Sequence, residues 1–181
     1  MTCIVAVETA EGVVMGSDRM ASGGGTSITL DYPKTFTNGP VLFGCCGSIR
    51  LHQLLQHSLI VPVDSLSWDL DRWVSHYLMA AIRSTFEEHG ALFRRDNTDR
   101  GGSAIIAIRG RAYELQSDYS FVRTTTGEYA VGSGEDHAKG SLHATRGNRR
   151  DPEARIIGAL EAAAEHVVSV AGPFDIVRQD A

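Results

Sequence analysis

Thr2 is the first residue whose type and place could do chemistry. The chain opens Met1-Thr2-Cys3-Ile4-Val5, so removal of the initiator methionine would leave a threonine with a free α-amine. Methionine is readily trimmed before a small residue. A threonine hydroxyl alone is a poor nucleophile, but an amine on the same residue can act as its general base. The chemistry this implies is acyl transfer, and it gains weight only in combination with Asp18, Lys34 and Gly47.

These residues must be held by surrounding elements. Ile4 to Val7 reads as a strand, Thr9 to Gly12 as a turn and Val13 to Asp18 as the returning strand. Gly23-Gly24-Gly25 marks a loop, and Ser27–Leu30 and Val41–Gly44 are further short strands. Leu51, Leu54, Leu55 and Leu59 share one helical face. Leu70, Trp73, Val74, Tyr77, Leu78, Ala81 and Phe86 predict a longer helix, started near Ser67 and ended at Gly90. Its two tryptophans read as core packing.

Strands return at Ser103–Ile108, Ala112–Gln116 and Tyr129–Val131. Glu135–Thr145 is predicted helical and closed by Gly147. Asp151-Pro152 starts a second helix, with Asp at the N-cap and Pro in the first turn. Ile156, Ile157, Leu160, Ala164, Val167 and Val168 supply its buried face, and Pro173–Arg178 is a last strand. The order predicts an α+β fold in which two antiparallel sheets pack between helical pairs, a four-layer α/β/β/α sandwich. A chain of 181 residues with no repeat or linker reads as one domain, 1–181.

Composition excludes several functions. A net charge of −5 argues against a general nucleic-acid binder. The basic pairs Arg94-Arg95 and Arg149-Arg150 read as solvated charge in turn-like segments. No apolar run is long enough to span a membrane, and the first apolar run lacks the basic flank of a signal peptide. Cys3, Cys45 and Cys46 suit reduced cytoplasmic thiols acting as small apolar residues. They lack the spacing of a zinc site, and His52 and His57 do not form a zinc helix because Gln53 is not Glu. The absence of βαβ alternation and of a Gly-rich phosphate loop disfavours nucleotide binding. No metal or organic cofactor is implied.

Thr2, the Gly16-Ser17-Asp18-Arg19 segment, Lys34 and the Gly44-Cys45-Cys46-Gly47-Ser48 turn together resemble the proteasome β-subunit group of N-terminal nucleophile hydrolases. Gly132-Ser133-Gly134 before a helix and the closing Gly172-Pro173 strand extend the resemblance over nearly the whole chain. Asp18 lies sixteen positions after Thr2 and Lys34 thirty-two after it, as in that group. Taken singly, Asp18 and Lys34 read as an ordinary strand end and loop; at this joint spacing they read as catalytic.

The resemblance implies a threonine peptidase acting through an acyl-enzyme. The Thr2 amine, whose ordinary pKa is about 7.7–8.0, would take the hydroxyl proton. The Lys34 ammonium would keep that amine neutral, and Asp18 would hold Lys34 charged. The Gly47 N–H would meet the developing oxyanion. Ser133 would hydrogen-bond near the amine or, alternatively, cap the following helix. Ser169 matches the serine of an Asp-x-x-Ser step, with His166 in the acidic place.

Met20, Ala21, Tyr32, Cys45 and Ile49 would line the pocket for the residue before the cut, predicting apolar or aromatic preference over charged residues. Substrates would be peptides or unfolded proteins, and the subunits would assemble into a homo-oligomeric ring or related form, with any ATPase partner unspecified. Two other readings stay open: a proteasome-like structural subunit that does not cut, kept alive by His166, and a small-molecule amide hydrolase on the same fold.

Overall fold

The computed structural model describes residues 2–23, 25–66, 69–95, 98–100, 102–147 and 151–181. The expectations placed on Met1, Gly24, Ser67, Trp68 and Arg149-Arg150 lie outside the described residues.

β1 (Cys3–Glu8) and β2 (Gly12–Asp18) pair antiparallel across a turn in which the Thr9 N–H donates to the Gly12 carbonyl at 2.7 Å. A separate hairpin follows, β3 (Met20–Gly23) with β4 (Thr26–Thr29). β5 (Thr35–Asn38) and β6 (Val41–Cys46) lead into helix α1 (Ile49–His57), whose N-cap Ser48 side chain accepts from the Arg50 N–H. After a short 3-10 turn come α2 (Leu70–Trp73), a π-helical turn (Val74–Leu78) and α3 (Met79–Glu88).

The second half holds the hairpin β7 (Phe93–Arg95) and β8 (Thr98–Arg100), then β9 (Ser103–Ile108), β10 (Arg111–Leu115), β11 (Phe121–Val122) and β12 (Glu128–Gly132). Helices α4 (Glu135–Thr145) and α5 (Pro152–His166) precede the final β13 (Phe174–Asp180).

Two antiparallel sheets form the centre, ordered β12-β1-β2-β13 and β11-β10-β9-β6-β5. Strand alternation explains the layers. Ile4 and Ala6 of β1 join Met15, Leu42, Ile105 and Ala107 in the core between the sheets. Cys3, Val5 and Val7 point the other way, onto Ala138 and Leu142 of α4 and Ile156, Leu160 and Ala163 of α5. On the opposite side, α1, α2 and α3 cover Val41, Phe43, Ile106 and Ile108. β1 is buried on both faces, which is why it reads as a continuous apolar run. Gly44 marks a close approach of the sheets: a Cβ there would lie 2.5 Å from Ile4 Cγ2. The expected α/β/β/α sandwich is the architecture found.

Several local expectations are corrected. β3, β5 and β11 escape the sequence pattern because they are short and largely polar or half-exposed. Arg94 and Arg95 lie in β7, paired with β8, instead of in a turn. The long helix carries a π turn, which adds a residue to one turn and shifts the phase of the buried face. Tyr77 is therefore 43% exposed, while Met79 and Ile82 are buried. α5 ends at His166, so Val167 and Val168 lie beyond it, and Val168 is 94% exposed. Ile157 also faces outward; Ala159 and Ala163 fill the buried stripe with Ile156 and Leu160. Asp151 stands at the N-cap of α5 with Pro152 following, but its side chain makes no capping hydrogen bond. Its carboxylate instead lies 3.9 Å from Arg178.

Candidate active site

The β1–β2 pairing sets Ile4 opposite Ser17, which brings the end of β2 beside the start of β1. Asp18 is fully buried there. Its Oδ1 accepts from the Cys3 backbone N–H at 2.9 Å and its Oδ2 from the Met20 N–H at 3.0 Å. Lys34 arrives just before β5 and is 5% exposed. Its Nζ donates to Asp18 Oδ1 at 2.7 Å and to the Met20 carbonyl at 2.6 Å. Burial lowers the Lys34 pKa below that of an ordinary lysine, and the Asp18 carboxylate opposes that shift.

Thr2 is buried immediately before β1. Its carbonyl accepts from Ser133 Oγ at 3.3 Å and from the Gly134 N–H at 3.5 Å. This close approach requires glycine at 132, where φ is +101° and a Cβ would sit 2.2 Å from the Thr2 oxygen. Ser133 Oγ also lies 3.2 Å from the hydroxyl of buried Ser169. Of the two roles open for Ser133, capping is not the one found, because α4 starts from Gly134 without a side-chain cap. His166 stands apart at the exposed end of α5, its ring 5.0 Å from that of His137. None of the hydrogen bonds to Thr2, Ser133 or Ser169 among the described residues comes from it.

A cavity of about 150 Å³ opens between the β3–β4 hairpin and α1. Thr2, Lys34 and Gly47 line it, with all five residues expected of the specificity pocket: Met20, Ala21, Tyr32, Cys45 and Ile49. Gly47 has φ +101°, and a Cβ there would meet nothing within 4 Å, so the turn presents bare backbone. Sequence reasoning missed Ser22, Leu30, Cys46, Ser48 and His52 in the lining. His52 follows Ile49 by three positions on α1, a spacing that could have placed both on one face.

Burial disfavours the thiolate form of all three cysteines. Burial, reinforced by the Asp18 charge, pushes Cys3 up to about 12, and burial pushes Cys46 up to about 11. All three cysteines are free. Among the described residues no group of three His, Cys, Asp or Glu is placed to hold a metal ion. No described helix is long and apolar enough to cross a membrane.

No protein-family profile matches this sequence, and no curated protein matches it. Solved structures do. BPH from Thiobacillus denitrificans, solved in complex with epoxomicin, is 20% identical with a TM-score of 0.79, over 99% of this chain and 100% of that one. HslV from Trypanosoma brucei is 19% identical with a TM-score of 0.73, over 99% and 100%. Anbu from Pseudomonas aeruginosa, solved as a helical assembly, is 19% identical with a TM-score of 0.66, over 99% and 81%. The chain thus has the fold of the proteasome-like N-terminal nucleophile hydrolases, the group its sequence resembles.

Proposed function

We propose that this protein is a threonine peptidase whose nucleophile is Thr2, exposed as an N-terminal residue once Met1 is removed. The observation that carries this reading is the buried Asp18–Lys34 ion pair, whose lysine lines the same cavity as Thr2 and Gly47. A buried carboxylate–ammonium pair whose ammonium meets a cavity is costly to build and suits a site that must hold a positive charge in place.

In this mechanism Thr2 Oγ attacks the peptide carbonyl and its proton passes to the Thr2 amine. The Lys34 ammonium favours the neutral amine beforehand and the negative oxygen afterwards. Gly47 N–H stabilises the tetrahedral oxyanion. Collapse expels the leaving amine, which takes the proton, and water hydrolyses the remaining ester. Ser133 and Ser169 fix the Thr2 backbone through its carbonyl. Three cysteines without a disulfide fit a reduced, cytoplasmic setting. The fold shared with HslV and with an Anbu solved as a helical assembly supports a homo-oligomer.

Digestion of a mixed peptide library, followed by mass spectrometry of the new termini, tests the reading. Cleavage after apolar or aromatic residues is expected, because the walls Met20, Leu30, Cys45 and Ile49 reward apolar burial and penalise an unpaired charge. An undigested library contradicts the peptidase assignment; cleavage mainly after Asp, Glu, Lys or Arg contradicts the pocket assignment.

The pH profile gives a second expectation. kcat/KM should rise as the Thr2 amine loses its proton and fall as Lys34 loses its own. The alkaline limb lies below the ordinary lysine value of 10.5, because burial lowers the Lys34 pKa. Asp18→Asn removes the charge that holds the Lys34 proton, so this limb should move to lower pH. An unmoved alkaline limb in the variant would show that Lys34 is not the group responsible.

A further inference from the structure

His52, like Ser22, is a polar residue of the cavity wall with a buried side-chain atom that neither the proposed mechanism nor the fold employs. It is 6% exposed, and its ring packs against Phe36 at 4.7 Å and Tyr32 at 5.7 Å between centroids. Its Nε2 is buried without a hydrogen-bond partner among the described residues. Such orphaned nitrogens are rare in folded proteins, and each calls for an explanation.

The surroundings define what would satisfy it. Gln56 stands one turn further along α1. Burial, with the charges of His57 and Lys34 adding to it, lowers the pKa of the ring and favours its neutral form. In a neutral imidazole each nitrogen either donates or accepts, so the unpartnered Nε2 offers a single bond. Around it the wall is apolar: Met20, Leu30, Cys45 and Ile49. A charged side chain would be desolvated there, and Lys34 is already neutralised by Asp18.

We propose that His52 is the specificity-determining residue of this cavity and selects a residue with an apolar body and an uncharged hydrogen-bonding tip. Tyrosine is favoured over phenylalanine and glutamine over methionine before the scissile bond. The selection of a peptide residue rests on the peptidase reading; the recognition chemistry of the cavity does not. A site that hydrogen-bonds a ligand hydroxyl discriminates against the analogue lacking it, because its own polar group is then left unpaired.

Two measurements test this. In the first, the protein labelled with ¹⁵N is titrated with p-cresol and with toluene, mimics of the tyrosine and phenylalanine side chains, while the His52 imidazole nitrogens are followed by NMR. p-Cresol should move the Nε2 resonance saturably and bind about tenfold more tightly than toluene, the size of one neutral hydrogen bond. His52→Phe should abolish the difference. Equal binding of the two probes, or an Nε2 signal unmoved by p-cresol, overturns the proposal, and the wild-type titration decides it even if the variant does not fold. In the second, kcat/KM is compared for peptide pairs differing only as Tyr/Phe or Gln/Met at the cleaved position. A roughly tenfold preference for the hydrogen-bonding member, lost in His52→Phe, supports the proposal; equal rates in the wild type overturn it. Recognition of p-cresol without cleavage of any peptide would retain the role of His52 and refute the peptidase reading.

Discussion

Thr2→Ala is expected to abolish peptide hydrolysis, with a loss of kcat on the order of 10⁴- to 10⁶-fold, the scale seen when a catalytic nucleophile is removed. The fold should survive, because among the described residues the hydrogen bonds of Thr2 run through its backbone. Its carbonyl accepts from Ser133 and Gly134, and the β1 ladder begins at Cys3. Unchanged melting and assembly with lost turnover would assign the hydroxyl to chemistry. Retained turnover in Thr2→Ala would remove Thr2 from the mechanism. Thr2→Ser, which keeps a hydroxyl on the same residue, should retain measurable activity.

Lys34→Ala should have the second largest effect, a loss of about 10²- to 10⁴-fold, typical of a group that governs proton transfer. It also leaves Asp18 buried without its cation. Removing one partner of a buried pair costs about 3–5 kcal/mol, and the Cys3 and Met20 N–H bonds to the carboxylate should hold the cost at the lower end. The double variant Asp18→Asn/Lys34→Ala removes the stranded charge as well. It should regain part of the stability in urea denaturation while activity stays lost. Full activity in a folded Lys34→Ala protein would contradict the proposed site.

Much of this arrangement was legible in the sequence for physical reasons. β1 and β2 announce themselves by apolar runs joined by a turn ending at Gly12, and β2 carries Asp18 to the start of β1. The spacing of Thr2, Asp18 and Lys34 was readable through its resemblance to the proteasome β-subunit group, and the fold sets Lys34 against Asp18 beside the start of β1. Five pocket residues were named in advance, and all five line the cavity.

What stayed hidden depends on tertiary docking or on local backbone departures. Ser22 and Leu30 join the cavity only because tertiary folding sets the β3–β4 hairpin across it from α1, which leaves no periodic trace. The π turn at Val74–Leu78 exposes Tyr77, because a regular 3.6-residue period cannot anticipate an inserted residue. The His166-x-x-Ser169 step was split by the end of α5. Ser169 turns inward to Ser133, whereas His166 remains outside against His137. The choice between two roles for Ser133 needed coordinates, since a serine before a helix caps or does not cap according to where the helix starts.

The central claim is that Thr2 becomes an N-terminal nucleophile. Its most direct test is the intact mass of the purified protein before and after incubation with epoxomicin, the compound seen bound to the structurally similar BPH. The account predicts a mass lower by one methionine, then a single adduct that peptide mapping assigns to Thr2 and that Thr2→Ala lacks. Full retention of Met1, or an adduct carried by any residue other than Thr2, would contradict it.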